Sequence, residues 1–164
     1  MKDAACWEFT KFTTFDSEKT RNGHPSIKIS VDGKINNKWY GARNYYLPTR
    51  KIAMQSGKTY SLSCWYYVED SSLIDVNFVL ELKGYKNEND SNSSSIDAVS
   101  TYPTNCVEGQ WTRMQTTFTL NQNYKDYFVN VYLTRNGTVW FTDFKLEEGS
   151  EVTNWSPAPE DSEE

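Results

Sequence analysis

Short runs in which apolar and polar side chains alternate are the feature of this sequence that most restricts its fold. In the clearest run, residues 59–68, every second position carries an apolar side chain: Tyr60, Leu62, Cys64, Tyr66 and Val68. A period of two is typical of a strand with one buried face. No segment of helical length carries an apolar stripe with a period of 3.6 residues, so the chain is predicted to be all-β.

Several further strands are predicted between turns that are rich in Gly, Asn and Asp. Ser26–Val31 alternates and ends at Asp32-Gly33, and Asn136-Gly137 forms a hairpin turn into a last strand. Such a series predicts a two-sheet antiparallel β-sandwich, jelly-roll-like in type. We expect one domain over residues 7–156, after a disordered start at residues 1–6 and before an acidic tail at residues 157–164.

Two details of these strands are also predicted. Residues 85–105 are strongly polar and are expected to form a long exposed loop. In the last strand we expect Val139, Phe141 and Asp143 to face one way, and Phe144 to face the other with Trp140 and Thr142.

Charge and cysteine content exclude some classes of function. The net charge of −5 argues against nucleic acid, which is bound by neutralising phosphates with Lys and Arg. No apolar run is long enough for membrane insertion. The chain has three cysteines, Cys6, Cys64 and Cys106, so they cannot all form disulfides with one another. Their spacing is not that of zinc ligands. Cys64 is predicted to be a core residue, a Cys6–Cys106 disulfide is left open, and folding in a reducing bacterial cytoplasm is expected.

The closing stretch resembles a known family. The residues are T-V-W-F-T-D-F-K-L-E-E-G-S from Thr138 and T-N-W-S-P-A-P-E-D from Thr153. They resemble the end of carbohydrate-binding β-sandwich modules, above all the copies in tail and tail-fibre proteins of phages and prophages of Gram-positive bacteria. Families four, nine and twenty-two belong to the same group. Two more blocks fit, at Ser56–Val68 and Gly109–Leu120. The resemblance implies a galactose-binding-like sandwich and a glycan ligand.

No catalytic constellation can be assembled from the sequence. His24, the single histidine, precedes a proline in a predicted turn, and nucleophile and phosphate-loop motifs are absent. A glycosidase needs two carboxylates flanking a bond. Glu81 and Glu69 are the candidates to face a groove, but Glu69 lies in a predicted turn and Glu147 lies beside the closing turn. The chain is therefore predicted not to be an enzyme.

A sugar-binding face is the better hypothesis, because a sugar site combines an exposed aromatic ring with polar groups beside it. The candidate ligand-binding residues, expected on one shared surface, are Trp39, Arg43, Tyr45, Trp65, Tyr67, Asn77, Glu81, Asn130 and Tyr132. Trp65 and Tyr67 alternate with serines, which is unusual for a core, although the loop at residues 85–105 can also cover them without any ligand.

The resemblance also implies a structural calcium in many relatives, with an acidic residue of the last strand as a ligand. Here Thr142-Asp143 stands where relatives carry an acidic pair. Asp143 is the expected side-chain ligand if calcium binds, and no cofactor is expected to be required.

The leading prediction is a non-catalytic module of a phage or prophage tail protein that recognises a host cell-surface or cell-wall polysaccharide. Its other partners are further domains of a larger tail protein, and its location is the virion tail, outside the cell. The alternatives are a structural spacer that binds nothing and an accessory module of a secreted polysaccharide hydrolase.

Overall fold

The computed structural model describes residues 7–44, 53–85 and 97–156. Tyr45, both predicted terminal segments and Cys6 lie outside these ranges. Ten strands are present in the described part: β1 Trp7–Phe9, β2 Thr13–Arg21, β3 His24–Val31, β4 Tyr40–Asn44, β5 Thr59–Tyr67, β6 Phe78–Tyr85, β7 Asp97–Thr101, β8 Thr112–Thr119, β9 Asp126–Leu133 and β10 Gly137–Glu148. One 3₁₀ turn, Ser71–Leu73, precedes β6.

The strands form two five-stranded antiparallel sheets. The first sheet has the order β1-β4-β9-β6-β7 and the second has the order β2-β3-β10-β5-β8. The last two strands of the chain therefore lie at the centres of the two sheets. The predicted all-β jelly-roll sandwich is confirmed. In the described ranges no helix has the length and hydropathy needed to cross a membrane.

The core is made by the inward faces of both sheets. Every second residue of β5 is fully buried, as the alternation predicts, and meets the inward residues of β6 and β9, such as Leu80 and Val131. Cys64 is among the buried residues, as predicted, and is a free thiol. The buried Tyr60 hydroxyl donates to the carbonyl of Ala53 at 3.0 Å and accepts from the amide of Gln55 at 2.8 Å. This polar atom is therefore satisfied inside the core.

The predicted loop over residues 85–105 is wrong at its described ends, where Tyr85 closes β6 and β7 begins at Asp97, and residues 86–96 lie outside the described ranges. Residues 97–101 form β7, which pairs with β6 from Leu80↔Thr101 to Gly84↔Asp97 and becomes the edge of the first sheet. The polar residues Ser100 and Thr101 are compatible with an edge strand because one face and one edge of it meet solvent.

The predicted facing of the last strand is wrong after Thr142. The register of β10 on β5 shifts between Thr142↔Trp65 and Lys145↔Ser63, so Asp143 and Phe144 lie opposite one residue, Cys64. Such a β-bulge changes which residues face the core. Asp143 has a left-handed backbone with φ 54°, and its carboxylate leaves the side of Phe141. Phe144 turns inward, with its ring centroid 4.7 Å from that of Trp7.

Candidate functional site

The predicted ligand-binding residues do not share one surface. Arg43, Asn130 and Glu81 lie side by side on the outer face of the first sheet, in the register Arg43↔Asn130 and Glu81↔Asn130. Trp65 and Tyr67 lie on the outer face of the second sheet, in register with β10. Because the two sheets pack face to face, these groups are on opposite sides of the sandwich. The expectation of a single shared surface is wrong.

Trp65 and Tyr67 are half-buried beneath cationic side chains. The Arg21 guanidinium lies 3.7 Å from the Trp65 ring centroid, and the Lys19 ammonium lies 3.4 Å from the Tyr67 ring centroid. Both cations come from β2, next to its turn into β3. The second sheet therefore uses these rings to hold its own hairpin, and cations of β2 cover them.

An open groove lies on the outer face of the first sheet. It has a volume of about 430 Å³, and its lining residues are Thr10, Trp39, Val79, Glu81, Lys83, Tyr102, Tyr132 and Thr134. Trp39 and Tyr102 are 53% and 52% exposed, which is unusual for such large rings. Trp39 directly precedes β4 and Tyr102 directly follows β7, so the two rings border the groove from different strands of the sheet.

The backbone around Trp39 holds its ring beside the groove. Trp39 has a left-handed conformation with φ 51°, which is uncommon for a bulky residue. The amides of Lys38 and Trp39 both donate to the carbonyl of Thr134, at 3.1 Å and 3.2 Å. These two bonds fix the strained turn against the end of β9, and strain of this kind is often found at binding sites.

The position opposite Tyr132 is a glycine, and this keeps the groove floor open. Gly41 pairs with Tyr132, and a Cβ atom on Gly41 would come within 1.8 Å of the Val131 carbonyl oxygen. Strand β4 can approach β9 this closely because Gly41 has no side chain. The same glycine leaves no β4 side chain beside the Tyr132 ring.

A hydrogen-bonded network crosses the floor of the first sheet. The fully buried Asn130 accepts from Arg43 Nε and donates to Glu81 Oε1, both at 3.2 Å. The Ser100 hydroxyl donates to Glu81 Oε2 at 3.4 Å, and Lys83 Nζ lies 3.9 Å from Glu81 Oε1. Fixed donors and acceptors of this kind can bind sugar hydroxyls without having to be ordered first.

Tyr132 adds an aromatic surface with a neutral hydroxyl. Burial raises the pKa of Tyr132, so its hydroxyl stays protonated at neutral pH. A protonated phenol can both donate and accept a hydrogen bond. Tyr132 can therefore contact either an apolar ring face or a hydroxyl of a ligand.

Asn77 supports the groove from behind. Its Oδ1 accepts from the Thr134 hydroxyl at 2.7 Å, and its backbone carbonyl accepts from the Thr134 amide at 3.0 Å. The carbonyl of Thr134 in turn accepts the two hydrogen bonds, from the amides of Lys38 and Trp39, that fix the turn at Trp39. Asn77 is therefore a positioning residue for the groove and does not line it.

Sequence reasoning missed Tyr102, Lys83, Val79, Thr10 and Thr134 among the groove residues. Val79 and Lys83 share the facing of Glu81 along β6, so the alternation that identified Glu81 could also have found them. Tyr102 was assigned to the polar loop and gave no separate signal.

The residues around Asp143 do not fit a calcium ion. The Asp143 side chain is fully buried, with Arg21 Nη1 2.6 Å from Oδ2 and His24 Nδ1 2.9 Å from Oδ1. Calcium takes six to eight oxygen ligands, whereas these neighbours are nitrogen groups and one is a permanent cation. No cluster of three or more His, Cys, Asp or Glu side chains placed to hold a metal occurs in the described ranges.

Solved structures with the same fold include carbohydrate-binding modules. Family 16 Carbohydrate Binding Module-2 is 18% identical, with 85% of this chain and 89% of that chain covered and a TM-score of 0.56. The CBM22-2 xylan-binding domain of Xyn10C from Paenibacillus barcinonensis is 12% identical, with 90% and 94% covered and a TM-score of 0.56.

A phage structure is also similar in fold. The enzymatically active domain of tailspike protein 4 from bacteriophage CBA120 is 10% identical, with 90% of this chain but 20% of that chain covered and a TM-score of 0.60. At these identities the likeness concerns the fold alone. No curated protein matches the chain in sequence. A family model described as "Carbohydrate binding domain", which groups modules of families 4 and 9, matches residues 4–138, and the chain therefore belongs to this carbohydrate-binding family.

Proposed function

We propose that the groove on the first sheet binds a glycan chain without cleaving it. The observation that carries this proposal is the pair of half-exposed rings, Trp39 and Tyr102, which border a floor of fixed polar groups. The apolar face of a sugar stacks on such rings, while its hydroxyls meet Glu81, Lys83 and the other polar residues of the lining. Both requirements of a sugar site therefore meet in one groove.

The carboxylates of the groove favour binding over hydrolysis. Glycoside hydrolysis uses two carboxyl groups that flank the scissile bond. Among the described residues that line the groove, Glu81 is the one carboxylate, and it is already hydrogen-bonded to Asn130 and Ser100. A non-catalytic role also agrees with the family to which the chain belongs.

For the biological context, we propose a module of a phage or prophage tail protein that adheres to a host cell-wall polysaccharide. Its partners are then the host glycan and other domains of the tail protein, and its place is the virion tail. The support is the closing stretch from Thr138 to Pro159, which resembles tail-protein modules. Weak single-site binding is offset there by many copies on one particle.

A second candidate is an accessory module of a polysaccharide hydrolase. The specific support is that one structure similar in fold is described as a xylan-binding domain. The two candidates differ in ligand, since the first requires wall polysaccharides of Gram-positive bacteria and the second requires plant polysaccharides such as xylan.

Calorimetry tests glycan binding and distinguishes the two candidate functions. One panel contains wall polysaccharides of Gram-positive bacteria, and the other contains plant polysaccharides such as xylan. We expect binding to one panel, and a loss of at least about tenfold in affinity for Trp39→Ala. The matched control is Leu73→Ala, because Leu73 is 54% exposed but lies outside the groove. Absence of binding to either panel would contradict the proposal and favour a structural spacer. Equal affinities of the Trp39→Ala and Leu73→Ala variants would also contradict it.

A further inference from the structure

The buried carboxylate of Asp143 is neutralised by side chains of the chain itself. Arg21 and His24 flank the turn at Asn22-Gly23 between β2 and β3, and they pair with each other across it. Arg21 Nη1 lies 2.6 Å from Asp143 Oδ2, a short charge-assisted hydrogen bond. A fully buried carboxylate without such a partner would be strongly destabilising.

His24 provides the second contact. Its Nδ1 lies 2.9 Å from Asp143 Oδ1, and neither atom has a directed hydrogen bond to any other group in the described residues. We therefore interpret the pair as a close polar contact and not as a directed hydrogen bond. The other side of His24 meets Trp155, at a centroid distance of 4.4 Å.

The same cluster gathers three distant parts of the chain. Arg21 lies over the Trp65 ring of β5 and binds the bulge of β10. The segment that contains Trp155 is held further by Lys145, whose ammonium donates to the Thr153 hydroxyl at 2.5 Å and to the Asn154 carbonyl at 2.8 Å.

We infer that Arg21 acts as a built-in cation for Asp143, with His24 packed beside it, so that this sandwich is fixed at the bulge without calcium. The guanidinium takes the place that a metal would need beside the carboxylate. It joins the β2–β3 turn to the bulge of β10, while the contact of His24 with Trp155 holds the segment at residues 149–156. This inference concerns the opposite face from the groove and does not rest on glycan binding.

Thermal unfolding in calcium and in a chelator gives the first test. We expect the same Tm in both conditions, and no heat of binding on titration of the protein with calcium. A Tm that rises with calcium, and a rise that is lost in Asp143→Asn, would overturn the inference.

Variants of the cation give the second test. Arg21→Gln leaves the carboxylate without its charged partner, and we expect Tm to fall by roughly 6–20 °C. The matched control is Arg135→Gln, since Arg135 forms an ion pair with the partly exposed Asp75 at 2.8 Å. Its Tm is expected to fall by less than about 4 °C.

A double-mutant cycle separates the proposed role from simple packing of Arg21 on Trp65. If Arg21 stabilises the protein through Asp143, Arg21→Gln should lower Tm much less in the Asp143→Asn background than in the natural protein. Equal losses in both backgrounds would mean that the guanidinium acts through Trp65 alone, and would overturn the inference. If Asp143→Asn does not fold, Arg21→Gln is measured in a Trp65→Leu background, where a loss that persists supports the contact with Asp143 and a loss that disappears overturns the inference.

Discussion

Trp39 and Tyr102 border one groove although three strand-to-strand steps separate the strands that carry them. Trp39 precedes β4 and Tyr102 follows β7, and β9 and β6 lie between these strands. At the usual spacing of neighbouring strands, the walls are about 14 Å apart. This width admits a sugar chain that stacks on either ring or passes between them.

Two variants of Tyr102 can distinguish stacking from hydrogen bonding in glycan recognition. If its ring supplies an apolar plate, Tyr102→Phe should keep most of the affinity, whereas Tyr102→Ala should lose about tenfold. Calorimetry with the glycan identified for the natural protein measures both. Equal losses for the two variants would show instead that the hydroxyl is the part that matters.

Asn130 is expected to matter for both stability and binding. Asn130→Ala removes the amide that joins Arg43 to Glu81 and leaves these charged groups without their shared partner. We expect a cost of about 1–3 kcal/mol in the free energy of unfolding, together with weaker glycan binding. Urea unfolding measures the first. Ser100→Ala, which removes only a 3.4 Å contact to Glu81, is the control and should change stability little.

Gly41 is expected to tolerate no side chain. Gly41→Ala places a Cβ atom against the Val131 carbonyl oxygen and should cost about 3 kcal/mol or more. Gly33→Ala is the control, because Gly33 has φ 69° but no atom within 4 Å of its added Cβ, and should cost about 1 kcal/mol. Similar unfolding midpoints for the two variants would contradict the close approach of β4 and β9.

Asp16 should make the protein sensitive to acid. The amide of Lys19 and the indole of Trp140 lower the pKa of Asp16. A lowered pKa in the folded state stabilises the protein above the unfolded value of about 3.9, and this contribution is lost as pH falls through the folded value. Asp16→Asn should therefore lower Tm at pH 7 and flatten its decline below about pH 4. Asp32→Asn, at an exposed turn residue, is the control.

The two described cysteines should differ in reactivity. Burial raises the pKa of the Cys64 thiol strongly, and desolvation followed by the charge of Glu108 raises that of the exposed Cys106. In a Cys6→Ser background, a thiol reagent should label one thiol in the native protein, at a rate that rises with pH. Labelling should disappear in a further Cys106→Ser variant, and fast labelling of Cys64 would contradict its place in the core.

The fold was readable from the sequence where local alternation decides structure, as in residues 59–68. The pairing of strands was not, because β5 and β6 are consecutive but belong to different sheets. Trp65 faces outward, as predicted. It nevertheless lies on the opposite side of the sandwich from Glu81, because the chain passes from one sheet to the other between β5 and β6. The groove was found in part, through Trp39, Glu81 and Tyr132. Tyr102 was missed because its polar surroundings concealed an edge strand.

The bulge at Asp143 inserts one additional residue into β10 and so sets the orientation of everything after it. Phe144 and Leu146 pack against the core, while Lys145 and Glu147 pair with the outward Ser63 and Ser61. Deleting Asp143 alone would keep these pairs and their facing, but it would remove the carboxylate that Arg21 binds. Straight pairing with all residues kept would instead shift every later residue by one position, so that Lys145 and Glu147 would enter the interior and Phe144 and Leu146 would meet water. The bulge therefore gives the end of this strand its correct inner and outer faces.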